Sequence, residues 1–292
     1  MATVDLHIHS AYSDDGQLSP GKIMALAQGR HMRILAITDH NSVRAVDEAV
    51  ALAGACRVLS GVELDCAYRG KGFHLLGYGF DHTRREFGAI EADIFEQERA
   101  AAGEKIRLFR SATGIPVSEV ALLAAAHGGV VTGELIAEHL LAHEQAARYE
   151  LLHPYLPGGE KSDMPNTRFY WDFFAEGKPA YVPIRYLSLP DAVALIHDAG
   201  GLAVLAHPRQ NLGGDDALLE DIISQGIDGI EAFSSYHSAP EAAHYADLAR
   251  RHGILVTCGS DFHGKHKPNI SLGGHGGDHL EAELAEKLLQ RL

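Results

Sequence analysis

Six short apolar runs in this chain end in, or carry, histidines and carboxylates. They are Asp5-Leu6-His7-Ile8-His9, Thr38-Asp39-His40, Gly61-Val62-Glu63, Phe73-His74, Ala206-His207-Pro208 and Gly259-Ser260-Asp261-Phe262-His263. Apolar runs of this length read as buried strands, and the stretches between them read as helices. Such alternation builds βα units and a mostly parallel sheet or barrel. In a parallel barrel the C-terminal strand ends converge on one mouth, where such barrels place their chemistry. Residues two apart on a strand face the same side, so His7 and His9 point together. One isolated His-X-His is more often structural than functional. Six polar strand ends are a different matter, because chance would scatter these residues over helices and loops. Imidazoles and carboxylates without a cysteine partner suit Zn²⁺, Mn²⁺ or Fe²⁺.

The pattern can be followed along the chain. Thr3–His9 is the first expected strand, and Ser19-Pro20-Gly21 opens a helix to about Arg30 with proline near its first turn. Strands are expected at 34–38, 57–64 and 72–80, with a helix over 42–53. From Arg84 to Leu152 the pattern is helical and rich in Ala, Glu and Arg, punctuated by Gly128-Gly129 and Thr132-Gly133. His153–Pro165 reads as a Pro/Gly loop. The βα rhythm then resumes, with strands at 202–206, 229–233 and 254–258 and helices at 189–199, 215–224 and 240–252. The last 12 residues read as helical and Gly273–His279 as a loop. The expected organisation is a discontinuous barrel domain, 1–83 and 176–292, carrying a helical insertion or cap over 84–175.

Composition narrows the function. Lys and Arg total 25 against 39 Asp and Glu, a net charge of −14 with histidine neutral. A surface for long nucleic acid usually tips the balance the other way. Acidic excess does not bar a phosphorylated substrate, because bound cations reverse the local field. Of the 19 histidines, His31, His127, His139, His143, His153 and His252 fall on helical or loop positions and read as surface groups. His275 and His279 read as solvated loop residues. Cys56, Cys66 and Cys258 show no pairing pattern and read as small buried hydrophobes. No apolar run reaches the roughly 18 residues of a membrane span, and MATVDLHIHS has no signal-peptide pattern. A cytoplasmic protein without membrane contact is expected.

The stretches DLHIHSAYSDDGQLSP, ILAITDHNSV, LSGVELD, FHLLGYGFD, GGLAVLAHP and GIEAFSSYHS with LVTCGSDFHGKHKP resemble, in order, the PHP (polymerase and histidinol phosphatase) family. They cover about 1–82 and 176–270. The resemblance implies an α/β fold, a distorted (β/α)7 barrel, holding two or three divalent metals such as Mn, Fe or Zn. His7 and His9 match ligands of a first metal, joined by Glu63 and Asp261. Glu63 would bridge to a second metal held also by His74 and His207. A third site matches Asp14, His40 and His263. The family commonly reads Ser-Asp-Gly after its His-X-His-Ser, whereas this chain has Ser13-Asp14-Asp15-Gly16, so either Asp14 or Asp15 can serve. The length, the insertion and Gly177-Lys178-Pro179-Ala180-Tyr181-Val182 resemble the group of nucleoside 3′,5′-bisphosphate phosphatases and cyclic phosphate dihydrolases. Relatives tend to carry an arginine where this chain has Thr132-Gly133-Glu134. Loss of that fork would weaken the hold on a second phosphate.

The expected activity is hydrolysis of a phosphomonoester or cyclic phosphodiester on a small metabolite or nucleotide, by attack of a metal-bridging hydroxide. For protonating the leaving group, His207, His40 and His237 are candidates. His237 is preferred because it carries no ligand duty, and with Ser235 it lies in a strand-end loop able to hold phosphate. Lys178, Arg185, Arg209, Lys265 and Lys267 are cations near the expected mouth, with Arg209 and Lys265 favoured. Two rivals remain: an amidohydrolase-type C–N or C–O hydrolase, and a non-catalytic PHP binding module. The first usually needs a metal-bridging lysine at a strand end, and no apolar strand here supplies one. The second often loses ligands, and here every ligand position is filled.

Overall fold

The computed structural model describes residues 2–126 and 129–292. His127 and Gly128, expected as a surface histidine and a helix punctuation, lie outside the described residues. The chain divides into two compact units. The first comprises 1–90, 186–263 and 270–292, and the second 91–185 with 264–269.

The strands are β1 (Val4–Asp5), β2 (Ile34–Ala36), β3 (Arg57–Leu59), β4 (Gly61–Tyr68), β5 (Lys71–Tyr78), β6 (Leu187–Ser188), β7 (Leu202–Leu205), β8 (Gly229–Ser234) and β9 (Leu255–Gly259). The α-helices are α1 (Pro20–Gly29), α2 (Ala45–Ala51), α3 (Arg85–Thr113), α4 (Glu119–Ala125), α5 (Gly133–Leu141), α6 (Pro165–Phe173), α7 (Leu189–Asp198), α8 (Pro208–Leu212), α9 (Asp216–Ile223), α10 (Ala239–His252) and α11 (Glu281–Leu289).

In the first unit β1-β2-β3 form one parallel sheet and β6-β4-β5-β7-β8-β9 a second. Backbone hydrogen bonds past the strand ends join them. Leu6 N donates to Cys258 O at 3.2 Å, Asp261 N to His7 O at 2.8 Å and His9 N to Phe262 O at 2.9 Å, which seals the first strand against β9. Glu63 N donates to Asp39 O at 3.1 Å and Asn41 N to Glu63 O at 2.7 Å, which seals the end of β2 against β4. Because β3 runs into β4 through Ser60, the ring closes as β1, β2, β3/β4, β5, β7, β8 and β9. The expected α/β barrel is present and is distorted in a specific way. β4 pairs antiparallel with β5, and β5 antiparallel with β7. The cause is a two-residue hairpin, Arg69-Gly70, with φ of 49° and 77°. Two left-handed residues make the turn that matches strand twist.

Capping fixes where the outer helices start. Ser19 accepts from Lys22 N, Ser188 from Asp191 N and Asp215 from Leu218 N. Ser238 and Glu241 form a capping box on α10. Inside, the fully buried Tyr78 donates its hydroxyl to Leu6 O at 2.9 Å, so a large ring is buried without an orphaned polar atom. Cys56, Cys66 and Cys258 are buried and free. His275 departs from expectation. It is buried, its Nε2–H donates to Val4 O at 2.9 Å, and its Nδ1 accepts from Gly277 N at 3.0 Å. Both ring nitrogens satisfy loop backbone that would otherwise be buried unpaired.

The second unit packs α4, α5, α6 and most of α3 around Ile106, Phe109, Leu122, Ile136, Leu152 and Phe169. The expected Pro/Gly loop begins within a 3₁₀ turn, Glu150–Tyr155. Among the described residues no helix is long and apolar enough to cross a membrane.

Candidate metal centre

Strand ends of the first unit deliver the polar side chains inward. His7 Nε2 and His9 Nε2 lie 3.2 Å apart. Glu63 Oε2 lies 3.1 Å from the first and 3.0 Å from the second. Asp261 Oδ1 lies 3.3 Å and 3.1 Å from the same two nitrogens. A tetrahedral ion with bonds of about 2.0–2.1 Å has ligand–ligand edges of about 3.3 Å. Five of the six edges among the four atoms, 3.0–3.3 Å, are therefore close to those such an ion requires, and all four atoms lie within 4.8 Å of one another. Glu63 Oε2 is buried and makes no aligned hydrogen bond, although three ring nitrogens, those of His7, His9 and His40, approach it. Lone pairs converging on one point explain that better than donors do.

The other oxygen of Glu63 serves a second group. His74 Nδ1 lies 3.0 Å and His207 Nε2 3.1 Å from Glu63 Oε1. A third group brings Asp15 Oδ2 to 2.8 Å from His263 Nε2 and 3.9 Å from His40 Nε2, and the His9 and His263 rings stack at 3.9 Å. It is Asp15 that joins this group, whereas Asp14 is exposed. The Ser13 hydroxyl explains the choice, because it takes a hydrogen bond from His9 Nδ1 and donates to Asp15 Oδ1, each at 3.0 Å.

Outer partners hold the rings. His7 Nδ1–H donates to Glu231 Oε1 at 2.9 Å, and His207 N donates to Glu231 Oε2 at 2.9 Å. Such contacts fix the tautomer and leave the opposite nitrogen as the ligand. Tyr236 donates to Asp261 Oδ2 at 2.6 Å. A Cβ on Gly259 would fall 2.2 Å from His7 Cβ and 2.5 Å from Glu231 Oε1, so only glycine lets β9 pass this close. Asn41, His207 and Asp261 adopt φ of 55°, 24° and 58°. Such conformations cost roughly 1–3 kcal/mol each and collect at functional sites.

The electrostatics are lopsided. Burial disfavours charge on His7, but Glu63, Glu231 and Asp261 outweigh it and raise the ring well above its ordinary value. His40 is raised likewise, against burial, by Asp65, Glu63 and Asp15. Burial also opposes charge on Glu63, yet His7, His40 and His74 hold it well below the usual carboxylate range. Burial pushes Asp39 up to about 6 against two hydrogen bonds from Ser10. Five mostly buried acids, Asp15, Glu63, Asp65, Glu231 and Asp261, thus share one cluster. Concentrated buried negative charge requires compensating cations. On geometry and charge together, the residues fit divalent metal ions.

The other expected site residues have different surroundings. His237 Nδ1–H donates to Ala232 O at 2.8 Å, and its Nε2 accepts from Arg209 N at 3.4 Å. Burial lowers its pKa, and both nitrogens face backbone partners. Arg209 Nε is paired with Glu241 at 2.7 Å. Ser235 Oγ is buried without a hydrogen-bond partner. Lys178, Arg185, Lys265 and Lys267 belong to the second unit, where Lys265 pairs with Glu138 at 2.6 Å. At Gly133 a Cβ would fall 2.7 Å from the Phe174 ring and 2.9 Å from that of Tyr170. Aromatic side chains fill that space. Sequence reasoning did not assign Asp65 and Glu231. Their signal was available, since each is a carboxylate inside an otherwise apolar strand.

The PHP domain model matches residues 5–132. A 3′,5′-nucleoside bisphosphate phosphatase of Chromobacterium violaceum is 32% identical over 268 residues, covering 90% of this chain and 88% of the relative. This chain belongs to the PHP family. Other relatives are a 5′-3′ exoribonuclease of Haemophilus influenzae, 30% identical over 89% of each chain, and a phosphoribosyl 1,2-cyclic phosphate 1,2-diphosphodiesterase of Eggerthella lenta, 30% identical over 89% of this chain and 94% of that one. A solved structure described as an amidohydrolase from Chromobacterium violaceum superposes with a TM-score of 0.74 at 29% identity, covering 90% of this chain and 88% of that one.

Proposed function

We propose that the barrel unit is a metal-dependent phosphoesterase acting on small phosphorylated metabolites or nucleotides, with two to three divalent ions (Mn, Fe or Zn) held by His7, His9, Asp15, His40, Glu63, His74, His207, Asp261 and His263. The observation that carries this reading is the division of Glu63. One oxygen faces His7, His9 and Asp261 while the other faces His74 and His207. A shared carboxylate is how a protein holds two ions a few ångströms apart. Bound there, divalent ions would supply Lewis acidity to phosphoryl oxygens and lower the pKa of a coordinated water.

The chain's own residues do the rest. Glu231 and Ser13 keep His7 and His9 turned toward the cluster. Tyr236 orients Asp261. Ser235 Oγ is the hydroxyl available to a phosphoryl oxygen. The Arg209 guanidinium takes a second anionic group once it leaves Glu241, and Lys178 and Lys265 are further candidates for such contacts. His237 meets the Arg209 backbone at 3.4 Å, which argues against its serving as the general acid unless that contact opens on binding. The insertion over 84–175 is assigned to substrate choice.

The cyclic diesterase, bisphosphatase and exoribonuclease names of the relatives all describe phosphoric ester cleavage. The filled position at Gly133 favours a monoester or cyclic diester over a tightly held bisphosphate. The charge of −14 argues against long nucleic acid. Metal analysis should give two to three equivalents. Phosphate release is then compared across nucleoside mono- and bisphosphates, sugar phosphates, five-membered cyclic phosphates and short RNA. Less than one metal equivalent after reconstitution overturns the reading, as does RNA cleavage faster than every small ester for the substrate class.

A further inference from the structure

We infer that Asp65 is a positioning residue that sets the tautomers of His40 and His74 together; this rests on the metal reading above. Glu63 and Asp65 are two apart on β4 and so face one side. The antiparallel register places Asp65 opposite His74. Asp65 Oδ1 lies 3.2 Å from His40 Nδ1 and 3.3 Å from His74 Nε2. The remaining nitrogen of each ring faces Glu63. His74 Nδ1 is 3.0 Å from Oε1, and His40 Nε2 is 3.5 Å from Oε2. Two carboxylates and two imidazoles thus alternate in a closed circuit. The two rings stand nearly perpendicular, at 83°, with centroids 5.0 Å apart.

A neutral imidazole carries one proton, and a carboxylate can only accept. Asp65 therefore draws the N–H of both rings to its own side. Both lone pairs are then directed toward Glu63, where the ions are proposed to lie. Both approaches to Asp65 are close but not aligned as hydrogen bonds, and it is His74 Nδ1 that meets Glu63 Oε1 in hydrogen-bond geometry, at 3.0 Å. A small rotation of each ring completes the contacts to Asp65. Asn41 makes the arrangement rigid. Its Nδ2 donates to Asp65 Oδ2 at 2.7 Å, its Oδ1 accepts from Asp65 N at 3.0 Å, and its own N donates to Glu63 O at 2.7 Å. Asparagine is among the few residues that tolerate the left-handed φ of 55° needed here. Asn41 thereby indexes the end of β2 to both carboxylates of β4. One carboxylate orienting two ligands from different strands ties the second group to the third.

The test is Asp65→Asn in the full chain. This isosteric change removes the charge, and because both rings meet Oδ1 while Asn41 Nδ2 donates to Oδ2, it either turns an amide N–H toward both rings or sets two amide nitrogens against each other at Asn41. In chelator competition with Zn²⁺, the equivalents that depend on His40 and His74 should weaken by about 10–100-fold, the usual effect of losing an outer partner. The count at saturating metal should not change. In Co²⁺-loaded protein, the exchangeable ring N–H signals of His40 and His74 should be slow in the wild type, and at least one should be lost in the variant. Asn41→Ala should weaken the same equivalents by a smaller factor, which guards against a fold defect peculiar to position 65. Affinities within twofold together with unchanged N–H signals overturn the inference. A whole equivalent missing at saturation also overturns it, making Asp65 a ligand. Wild-type protein that binds no metal overturns the metal reading as well, whereas wild-type binding with an unaltered variant overturns this inference alone.

Discussion

In the barrel unit the fully buried residues include Asp5, His7, His9, Asp39, Glu63 and Glu231. In the second unit they include Phe109, Leu122, Ile136, Leu152 and Phe169. Both units bury side chains at no measurable exposure, but they solve different problems. The second uses rings whose burial is itself favourable, with Phe169 centred 5.5 Å from Phe109, 5.2 Å from Tyr155 and 4.7 Å from Phe173. The barrel uses its closed backbone to hold charges that resist burial. The barrel does so beside its own apolar core, which includes Leu6, Phe73, Tyr78 and Phe87, and substitutions in the two units should therefore have different readouts.

The largest effect is expected at Glu63. Glu63→Gln keeps the shape but removes the charge that both metal groups share. Metal content should fall by most of its equivalents, and kcat/KM on the best small ester should fall about 10³-fold or more, roughly 4 kcal/mol of transition-state stabilisation. Metal analysis and phosphate release on one preparation check this. Full activity in the variant would break the claim that one carboxylate joins the two groups. The complementary change is Phe169→Ala. Truncating so large a buried ring costs about 3–5 kcal/mol. Calorimetry should show the second unit melting earlier, with metal equivalents per chain unchanged. Metal loss from that variant would erase the distinction between the units.

The same contrast explains what could be read from residues alone. That His7, His9, His40, Glu63, His74, His207, Asp261 and His263 would gather was legible from polar strand ends that a barrel brings together, with periodicity pairing His7 and His9, whereas their division among ions was implied by the family resemblance alone. Asp15 and Asp14 were not distinguishable, since a loop has no such period; the Ser13 hydroxyl decides between them. His275 was misread for the same reason, as a loop histidine whose role depends on carbonyls distant in sequence. The antiparallel hairpin was hidden in Arg69-Gly70, a turn whose handedness reverses the strand without interrupting the apolar pattern. The roles of His237 and Arg209 needed contacts across 28 residues, which no local pattern encodes.

Arg209 offers a smaller effect that sharpens the picture of the barrel unit. Glu241 both caps α10 through Ser238 and pairs with Arg209 Nε at 2.7 Å. Glu241→Gln keeps the cap, because glutamine also serves in a capping box, but drops the charge that holds the guanidinium. If Arg209 takes part of the substrate, KM for a substrate with a second anionic group should fall about two- to fivefold, a gain of under about 1 kcal/mol, with kcat unchanged. An unchanged KM would make Arg209 a surface ion pair and nothing more.

The smallest effect belongs to the second unit, at an ion pair on the edge of its aromatic core. Asp172 accepts hydrogen bonds from Lys161, at 2.7 Å, and from the Tyr155 hydroxyl. Partial burial opposes its charge, but Lys161 and Tyr155 prevail and hold the carboxyl below its ordinary value. The folded state therefore releases this proton more readily than the unfolded chain does. Its contribution to stability is present above the ordinary aspartate range and is lost as pH falls through the depressed folded value. A pair about one-third exposed is screened by solvent, so the contribution should stay within about 1 kcal/mol. Asp172→Asn should flatten the acid limb of the second unit's melting temperature below about pH 4 and leave its value at neutral pH only slightly lower. An acid limb of unchanged slope would show that the unit's acid sensitivity arises elsewhere. The barrel's metal content at neutral pH should not respond at all, because the two kinds of burial draw on different residues.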